Sequence, residues 1–320
     1  MTDGQGGAYV VFVHTPDIYY EVSVMHFDGN GNTTWNNPIN IIPSEDEISG
    51  RNQPCAVSDG AGGIIIGVVD WRSFADSDIW AQRLDINGNI LWGDPGIPVC
   101  LDSAEQYELV AVSDEQGGAI FAWVDERDIG TSMQDLYMQH LGASGNPMWT
   151  VDGKVLCTSP GDQIALSAAP DGVGGALFSW NDYRNGNYDI YASRVEPYLG
   201  YYWWSQNGVR LCDNNESQHS STLVSDGHGG AFVAWRDSRT DGYDSDDIYA
   251  QHVSISGALL WGTSGYSASG INSSQGLYGL ELVPDGYDGV IAVWTGTVGT
   301  GGYATDLVGQ RFSSDGYRYW

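Results

Sequence analysis

Positive charge is what this chain has least of: 12 Lys and Arg stand against 41 Asp and Glu, a formal charge of −29, and Lys154 is its one lysine. A surface of that sign repels phosphate backbones and anionic headgroups, which argues against nucleic acid and membrane surfaces as partners and favours cations. Long apolar runs are also missing. With no stretch of about 18 apolar residues, no transmembrane helix is encoded and no membrane insertion is expected. The start at Met1-Thr2-Asp3-Gly4 shows neither a basic nor an apolar leader segment. That leaves a cytoplasmic protein or the mature or trimmed part of a secreted one, and the acidic, lysine-poor composition favours the second, an extracellular or cell-surface protein.

Cysteine and histidine are scarce, at four and six residues, and no C-x-x-C or Cys/His zinc spacing occurs. Cys100, Cys157 and Cys212 fall at one place in three successive repeats, where the first repeat has Ile41 or Ile42. That exchange predicts small buried hydrophobes rather than disulfides. His26, His140 and His252 share another slot with Arg83, Arg194 and Arg311, which marks a structural donor rather than a metal ligand or general base. No G-x-S-x-G, H-E-x-x-H or lysine-bearing phosphate loop is present. Carboxylate pairs for glycoside chemistry stay open, because 41 acids supply many pairs and only their separation decides.

What the chain does have is a repeat. A D-G-x-G-G-like signature recurs at Asp3, Asp59, Asp114, Asp171, Asp226 and Asp285, at intervals of 56, 55, 57, 55 and 59 residues. Six copies at so constant a period mark a repeat architecture. Each unit reads as a four-stranded meander: Ser221–Val224, a Gly/Asp turn, Gly230–Trp235, then Asp247–Val253, then a strand around Leu259-Leu260-Trp261. Turns within a unit are short and the link to the next unit is longer, as a propeller requires. The expected fold is therefore all-β: one six-bladed β-propeller over 1–320, with repeats near 1–57, 58–112, 113–169, 170–224, 225–283 and 284–320. Six second strands but only five first strands leave the first blade incomplete. Three strands there, a longer parent chain, or a strand donated by another chain would each account for the count.

The fourth-strand pattern Asp-x-x-Gly-x-x-x-Trp, at Asp28 to Trp35 and Asp85 to Trp92, resembles the turn of pyrroloquinoline-quinone-type propeller repeats. It is also loosely similar to the Asp-box of sialidases, with two spacings each one residue longer. As a whole the units resemble secreted bacterial repeat propellers, a likeness that implies fold and a cell-surface setting. Residues that would bind the quinone have no counterparts in the chain, so that chemistry is not implied.

Candidate site residues follow from the same bookkeeping. Asp-x-Arg recurs after the second strand as Asp70/Arg72, Asp125/Arg127, Asp182/Arg184 and Asp237/Arg239. Such a ring can grip a carboxylate or sugar, but regular repetition favours clamps on each blade's own loop, closed through Asp78, Asp135, Asp189 and Asp247. Trp123, Trp180, Trp235 and Trp294 share one slot, and Trp35, Trp92, Trp149, Trp204, Trp261 and Trp320 another, which places them between blades. Trp71 and Trp203 stand outside both slots, and Trp203 with Tyr201 and Tyr202 forms an aromatic patch able to stack on a sugar. Asp241, Asp244, Asp246 and Asp247 crowd one loop with hard oxygen donors suited to calcium. The functional reading is a non-catalytic extracellular binding or scaffold propeller with a protein or glycan ligand. Its alternatives are a glycan-binding or glycan-cleaving propeller and a surface protein that assembles with copies of itself by strand donation.

Overall fold

The computed structural model describes residues 1–14, 21–42, 54–71, 76–239, 246–269, 275–297 and 305–319. Its elements are strands alone, 22 among the described residues, all in antiparallel meanders. The first sheet is β1 (Ala8–His14), β2 (Glu21–Phe27) and β3 (Ile39–Ile42). The second is β4 (Cys55–Ser58), β5 (Ile64–Asp70), β6 (Asp78–Leu84) and β7 (Ile97–Cys100), and the third β8 (Gln106–Ser113), β9 (Ala119–Asp125), β10 (Asp135–Leu141) and β11 (Lys154–Cys157). The fourth holds β12 (Gln163–Pro170), β13 (Ala176–Asp182), β14 (Asp189–Val195) and β15 (Val209–Arg210). The fifth holds β16 (Gln218–Ser225), β17 (Ala231–Asp237), β18 (Asp247–Val253) and β19 (Tyr266–Ser267), and the sixth β20 (Gln275–Pro284), β21 (Val290–Thr297) and β22 (Thr305–Phe312).

These sheets fall into two compact units, Met1–Gly130 with Gln134–Leu156 and Pro197–Gly200, and Thr131–Met133 with Cys157–Glu196 and Tyr201–Trp320. In the second to fifth sheets the second and third strands are buried on both faces, which is why a strand such as β9, Ala-Ile-Phe-Ala-Trp-Val-Asp, is apolar almost throughout. The first and sixth sheets are more open, with Val10 of β1 and Leu307 of β22 exposed. Within the first unit, Val69, Trp92, Phe121 and Trp123 join the second and third sheets in one core. Within the second, Leu177, Trp204, Val233 and Trp235 do the same for the fourth and fifth, and Phe232, Trp261, Leu282 and Trp294 for the fifth and sixth. Trp35, Trp92, Trp123, Trp204, Trp235, Trp261 and Trp294 thus pack between sheets, as their spacing predicts; Trp180 is buried, Trp149 half-buried, and Trp320 lies outside the described residues.

The fourth strand is not where the sequence pattern put it. Leu259-Leu260-Trp261 makes a single bridge, Val253 to Leu259, and pairing resumes only at β19, opposite Tyr249 and Ala250. A glutamine explains the interruption. Gln251 Oε1 accepts from the Trp261 backbone N–H at 2.8 Å while its Nε2 donates to the Gly262 carbonyl at 2.8 Å, so a side-chain amide replaces a rung of the ladder. Gln82 at Trp92 and Gln139 at Trp149 repeat the device. The freed chain then swings out to lay each indole against the neighbouring sheet, and returns through a glycine: Gly153 has φ +93°, and a Cβ on it would stand 2.6 Å from Trp123 Cη2.

Because Trp235 is fully buried between the fourth and fifth sheets, Trp235→Ala is expected to cost about 3–5 kcal/mol, read as a lowered midpoint in urea denaturation.

Candidate functional site

Each sheet has two polar ends, and at both the repeating residues are spent on internal bonds. At the Asp-Gly end, the turn aspartate accepts two backbone N–H groups through one oxygen, as Asp114 does from Gln116 at 2.7 Å and Gly118 at 2.8 Å. Its other oxygen faces the cation of the third strand: Arg83 to Asp59 at 2.9 Å, Arg194 to Asp171 at 2.8 Å, His140 to Asp114 at 2.9 Å. The slot indoles fasten the next turn, Trp92 Nε1 donating to the Ala143 carbonyl at 3.0 Å and Trp261 Nε1 to that of Ser314 at 2.8 Å.

At the opposite end sits the Asp-x-Arg motif. Asp182 takes the Trp180 indole N–H at 2.9 Å and the Arg184 guanidinium through both its oxygens, from Nε at 2.7 Å and Nη2 at 2.5 Å. Arg184 Nη2 also reaches the Cys157 thiol at 3.3 Å and the Asn207 carbonyl at 2.8 Å, with its plane 3.8 Å from the Tyr191 ring centre. Asp125/Arg127 with Trp123, Cys100 and Tyr137, and Asp237/Arg239 with Trp235, Cys212 and Tyr249, repeat the arrangement. The motif is a clamp, but its second anchor is a thiol and a carbonyl rather than the aspartate that opens the third strand; Asp189, one of those, is held by Arg210 at 2.9 Å. Asp70 closes β5, and Arg72 lies outside the described residues. All four cysteines are free, and burial pushes the thiols of Cys100, Cys157 and Cys212 up to about 12, which leaves them inert.

What differs from sheet to sheet lies beside the clamps, at the start of the first strand. Gln106, Gln163 and Gln218 each open that strand fully buried, their Nε2 groups donating to carbonyls of the preceding link. A bulge follows, with Glu108, Ala165 and Ser220 at φ between 50° and 56°. The residue between amide and bulge is Tyr107, Ile164 or His219, so the same backbone aims a different side chain in each sheet.

In the fifth sheet that residue meets charge. His219 Nε2 lies 3.0 Å from Asp246 Oδ2, Arg236 Nη2 lies 2.8 Å from the same oxygen, and Ser238 Oγ donates to Asp246 Oδ1 at 2.6 Å. Burial works to raise the Asp246 carboxyl, but the His219 and Ser238 hydrogen bonds and the charges of His219 and Arg236 outweigh it and hold the group below the usual carboxylate range. The other face of the imidazole is turned outward, Nδ1 standing 3.3 Å from Ser220 Oγ. The fourth sheet adds Asn181, whose Oδ1 accepts the Ser220 N–H at 3.1 Å, and the edge-to-face pair Tyr183 and Tyr188 at 5.0 Å. Chemically this is an imidazole at ion-pair distance from a buried carboxylate that also meets a guanidinium, a group able to move a proton, on a strand whose Gln218 N–H bonds the Tyr188 carbonyl at 2.7 Å. In the first unit the matching position has the Tyr107 hydroxyl 3.0 Å from Glu126 Oε1, burial and then Glu126 raising the phenol.

Sequence reasoning passed over His219, Arg236, Ser238 and Asp246 as a group, although one signal was available. Arg236 holds a slot that is Val69, Val124, Asn181 or Thr295 elsewhere, and a charge there breaks the repeat. Of the proposed calcium ligands, Asp241 and Asp244 lie outside the described residues; Asp246 serves His219, Arg236 and Ser238, and Asp247 takes the Ser269 hydroxyl at 3.1 Å. Among the described residues no three His, Cys, Asp or Glu side chains gather as a metal site. Trp71 packs half-buried on the core of the second and third sheets, its Nε1 without an acceptor among the described residues. Trp203 is 42% exposed with the Arg194 guanidinium 4.1 Å from its ring centre, and Tyr201 is exposed, while Tyr202 is half-buried and bridges Val195. Trp203 is not irregular after all. Its N–H bonds the carbonyl of the third-strand cation, as those of Leu91, Met148, Leu260 and Tyr319 do, so it caps a latch at the end of the sheet away from His219.

No family model matches the chain, and no curated protein does. Among solved structures, the polysaccharide lyase Uly1 is similar in fold, with a TM-score of 0.54 and 11% identity over 98% of this chain and 76% of that one. The α-L-arabinofuranosidase Arb93A of Fusarium graminearum aligns with a TM-score of 0.49 and 12% identity over 98% and 91%, and the α-L-arabinanase of Penicillium chrysogenum, solved with arabinobiose, with 0.47 and 12% over 96% and 90%. The resemblance defines the fold class, a propeller-type all-β repeat protein. It also corrects the functional expectation. Uly1 is named for an enzyme that acts on polysaccharides, and the non-catalytic scaffold reading is withdrawn.

Breaking one clamp tests its structural role: Asp182→Ala strands the Arg184 guanidinium and the Trp180 indole N–H, at an expected cost of about 3–5 kcal/mol in chemical denaturation.

Proposed function

We propose that the chain is a carbohydrate-active propeller, its six sheets closed around one axis, that binds and cleaves a glycan at the His219 end of the fifth sheet. The observation that carries this reading is the His219–Asp246–Arg236 constellation, a buried charged group at the end where the sheets stop repeating one another. Fold alone does not imply an activity, so the weight rests on those residues and not on the likeness to Uly1.

Hydrolysing a neutral glycosidic bond, in which water takes the place of the departing sugar, needs a proton donor within reach of the scissile oxygen. His219 supplies it, with Asp246 fixing the orientation of its ring and Arg236 keeping Asp246 ionised. Tyr183 and Tyr188 give the sugar an aromatic face. The net charge of −29 selects the substrate class: a polyuronate would be repelled over the whole surface, whereas a neutral glycan would not. The same lysine-poor acidity suits work outside the cell, where such polymers are met.

Reducing-end release and isothermal titration on a neutral arabinan, a neutral xylan and a polygalacturonate test the reading. Binding and release are expected on a neutral polymer, with His219→Gln lowering turnover about 100-fold or more and leaving the unfolding midpoint near that of the parent. Trp203→Ala, at the other end of the fourth sheet, is expected to change neither. Unaltered turnover in His219→Gln, or no binding to any of the three polymers, overturns the assignment.

A further inference from the structure

The third strands alternate at one slot, sheet by sheet: His26, Arg83, His140, Arg194, His252, Arg311. Every one of these side chains faces the turn aspartate of its own sheet. Several also reach a second acceptor in a turn further along the chain, Arg83 Nη1 donating to the Ala143 carbonyl at 2.9 Å and Arg194 Nη1 to that of Ile255 at 3.4 Å. A guanidinium carries only donors and serves both partners without difficulty.

Histidine in the same slot meets the same partners. His140 Nε2 lies 2.9 Å from Asp114 Oδ2 and its Nδ1 2.7 Å from the Pro197 carbonyl. His252 Nε2 lies 3.1 Å from Asp226 Oδ2 and its Nδ1 2.9 Å from the Ser314 carbonyl. A carbonyl oxygen only accepts. The carboxylates only accept as well, because they are held ionised: burial opposes this, but the histidine bond and the N–H groups of the turn, Gln116 and Gly118 for Asp114 and His228 and Gly230 for Asp226, keep both acids below the usual range. A neutral imidazole has one N–H and one lone pair, so it can satisfy one of its two neighbours and must turn a bare nitrogen on the other.

We propose that His140 and His252 are held as imidazolium ions, and that this makes them pH-sensitive latches which grip fully in mild acid and lose one bond each as the pH rises. His26 is the internal contrast. Its Nε2 faces Asp3 at 3.0 Å, but its Nδ1 meets the Thr34 hydroxyl at 2.7 Å, a group that donates or accepts, so either protonation state is satisfied.

Few other charges face these rings. His140 meets Asp114 and the edge of Trp149, with the Arg83 guanidinium against Gly117 of the Asp114 turn and the Tyr198 hydroxyl on Gln116 of that turn. His252 meets Asp226, stacks on Phe232 at 4.2 Å and touches Trp261, with the Arg194 guanidinium against Gly229 of the Asp226 turn. His228 lies in that turn too, its Nδ1 3.0 Å from the Asp226 carbonyl. The sign follows from the favoured charged form. The stabilisation is complete below the pH where an unfolded-chain imidazole titrates, about 6.5, and fades above it. At the acid end it persists until the lowered carboxyls of Asp114 and Asp226 take up protons.

Thermal unfolding of the full chain between about pH 5.5 and about pH 8.5 tests this, with His140→Arg/His252→Arg and His26→Arg as comparisons. The parent is expected to lose about 2–4 °C per latch across that range relative to the double variant, while His26→Arg keeps the parent's slope. Nitrogen NMR of the parent's histidine rings at about pH 6, expected to show both nitrogens protonated in His140 and His252, needs no variant to fold. Equal slopes for parent and double variant, or a bare nitrogen in either ring, overturns the proposal.

Discussion

Everything in these sheets turns on finding partners for polar groups where strands are covered on both faces. A sheet buried on one side can leave its turns and edge atoms to water, but in the second to fifth sheets the second and third strands are enclosed, and a buried donor left unmade costs about 1–3 kcal/mol. The chain meets that constraint with side chains standing in for backbone. The turn aspartate closes its own loop, the third-strand glutamine replaces a ladder rung, the Asp-x-Arg pair ties an indole to a carbonyl, and the slot tryptophan donates to the turn of the next repeat. Each device is polar, buried and specific in geometry. That is why the sequence repeats in its polar residues as faithfully as in its apolar ones.

The same accounting separates holding residues from working ones. Asp182, Arg184 and Cys157 look reactive in isolation, an acid, a cation and a thiol within bonding distance. Yet both oxygens of Asp182 are engaged, Arg184 lies over the Tyr191 ring, and the thiol is raised by burial. The fifth sheet departs from this at one point, where Arg236 and His219 bring two cationic groups to Asp246. One cation would have sufficed to neutralise the carboxylate. A second, on a bulged strand with its far nitrogen turned outward, is an expense the fold does not require.

Much of the architecture was legible because period and turn chemistry are local. The Asp-Gly turns, the five first and six second strands and the inward tryptophans all follow from spacing. The fourth strand was misplaced because Trp261 carries an apolar signal that belongs to the neighbouring sheet, while the true strand, Tyr266–Ser267, is two residues long and has almost no pattern of its own. The clamp's second anchor was hidden for a related reason. Cys157 and Asn207 lie 27 residues before and 23 residues after Arg184, and nothing in the motif itself points to either. Trp203 was taken as singular because its counterparts are Leu91, Met148, Leu260 and Tyr319, residues alike in exposure and backbone bonding but not in type.

The candidate site was the least legible part, and the cause is physical. A repeat makes regular positions conspicuous, so attention falls on residues whose task is to hold, while a functional group appears as a departure from the pattern. His219 looks ordinary in a segment that reads Gln-His-Ser-Ser; it acquires meaning only when the bulge at Ser220 turns it toward Asp246, 27 residues away on another loop. The histidines that do repeat present the reverse case. Their exchange with arginine marks them correctly as structural donors, but two of them stand between two acceptors, and a structural donor with that demand must carry charge to do its job. Acidic composition and latch chemistry then point the same way. A chain with so few cations uses protons as a supplement, recruiting histidine where arginine would otherwise be needed.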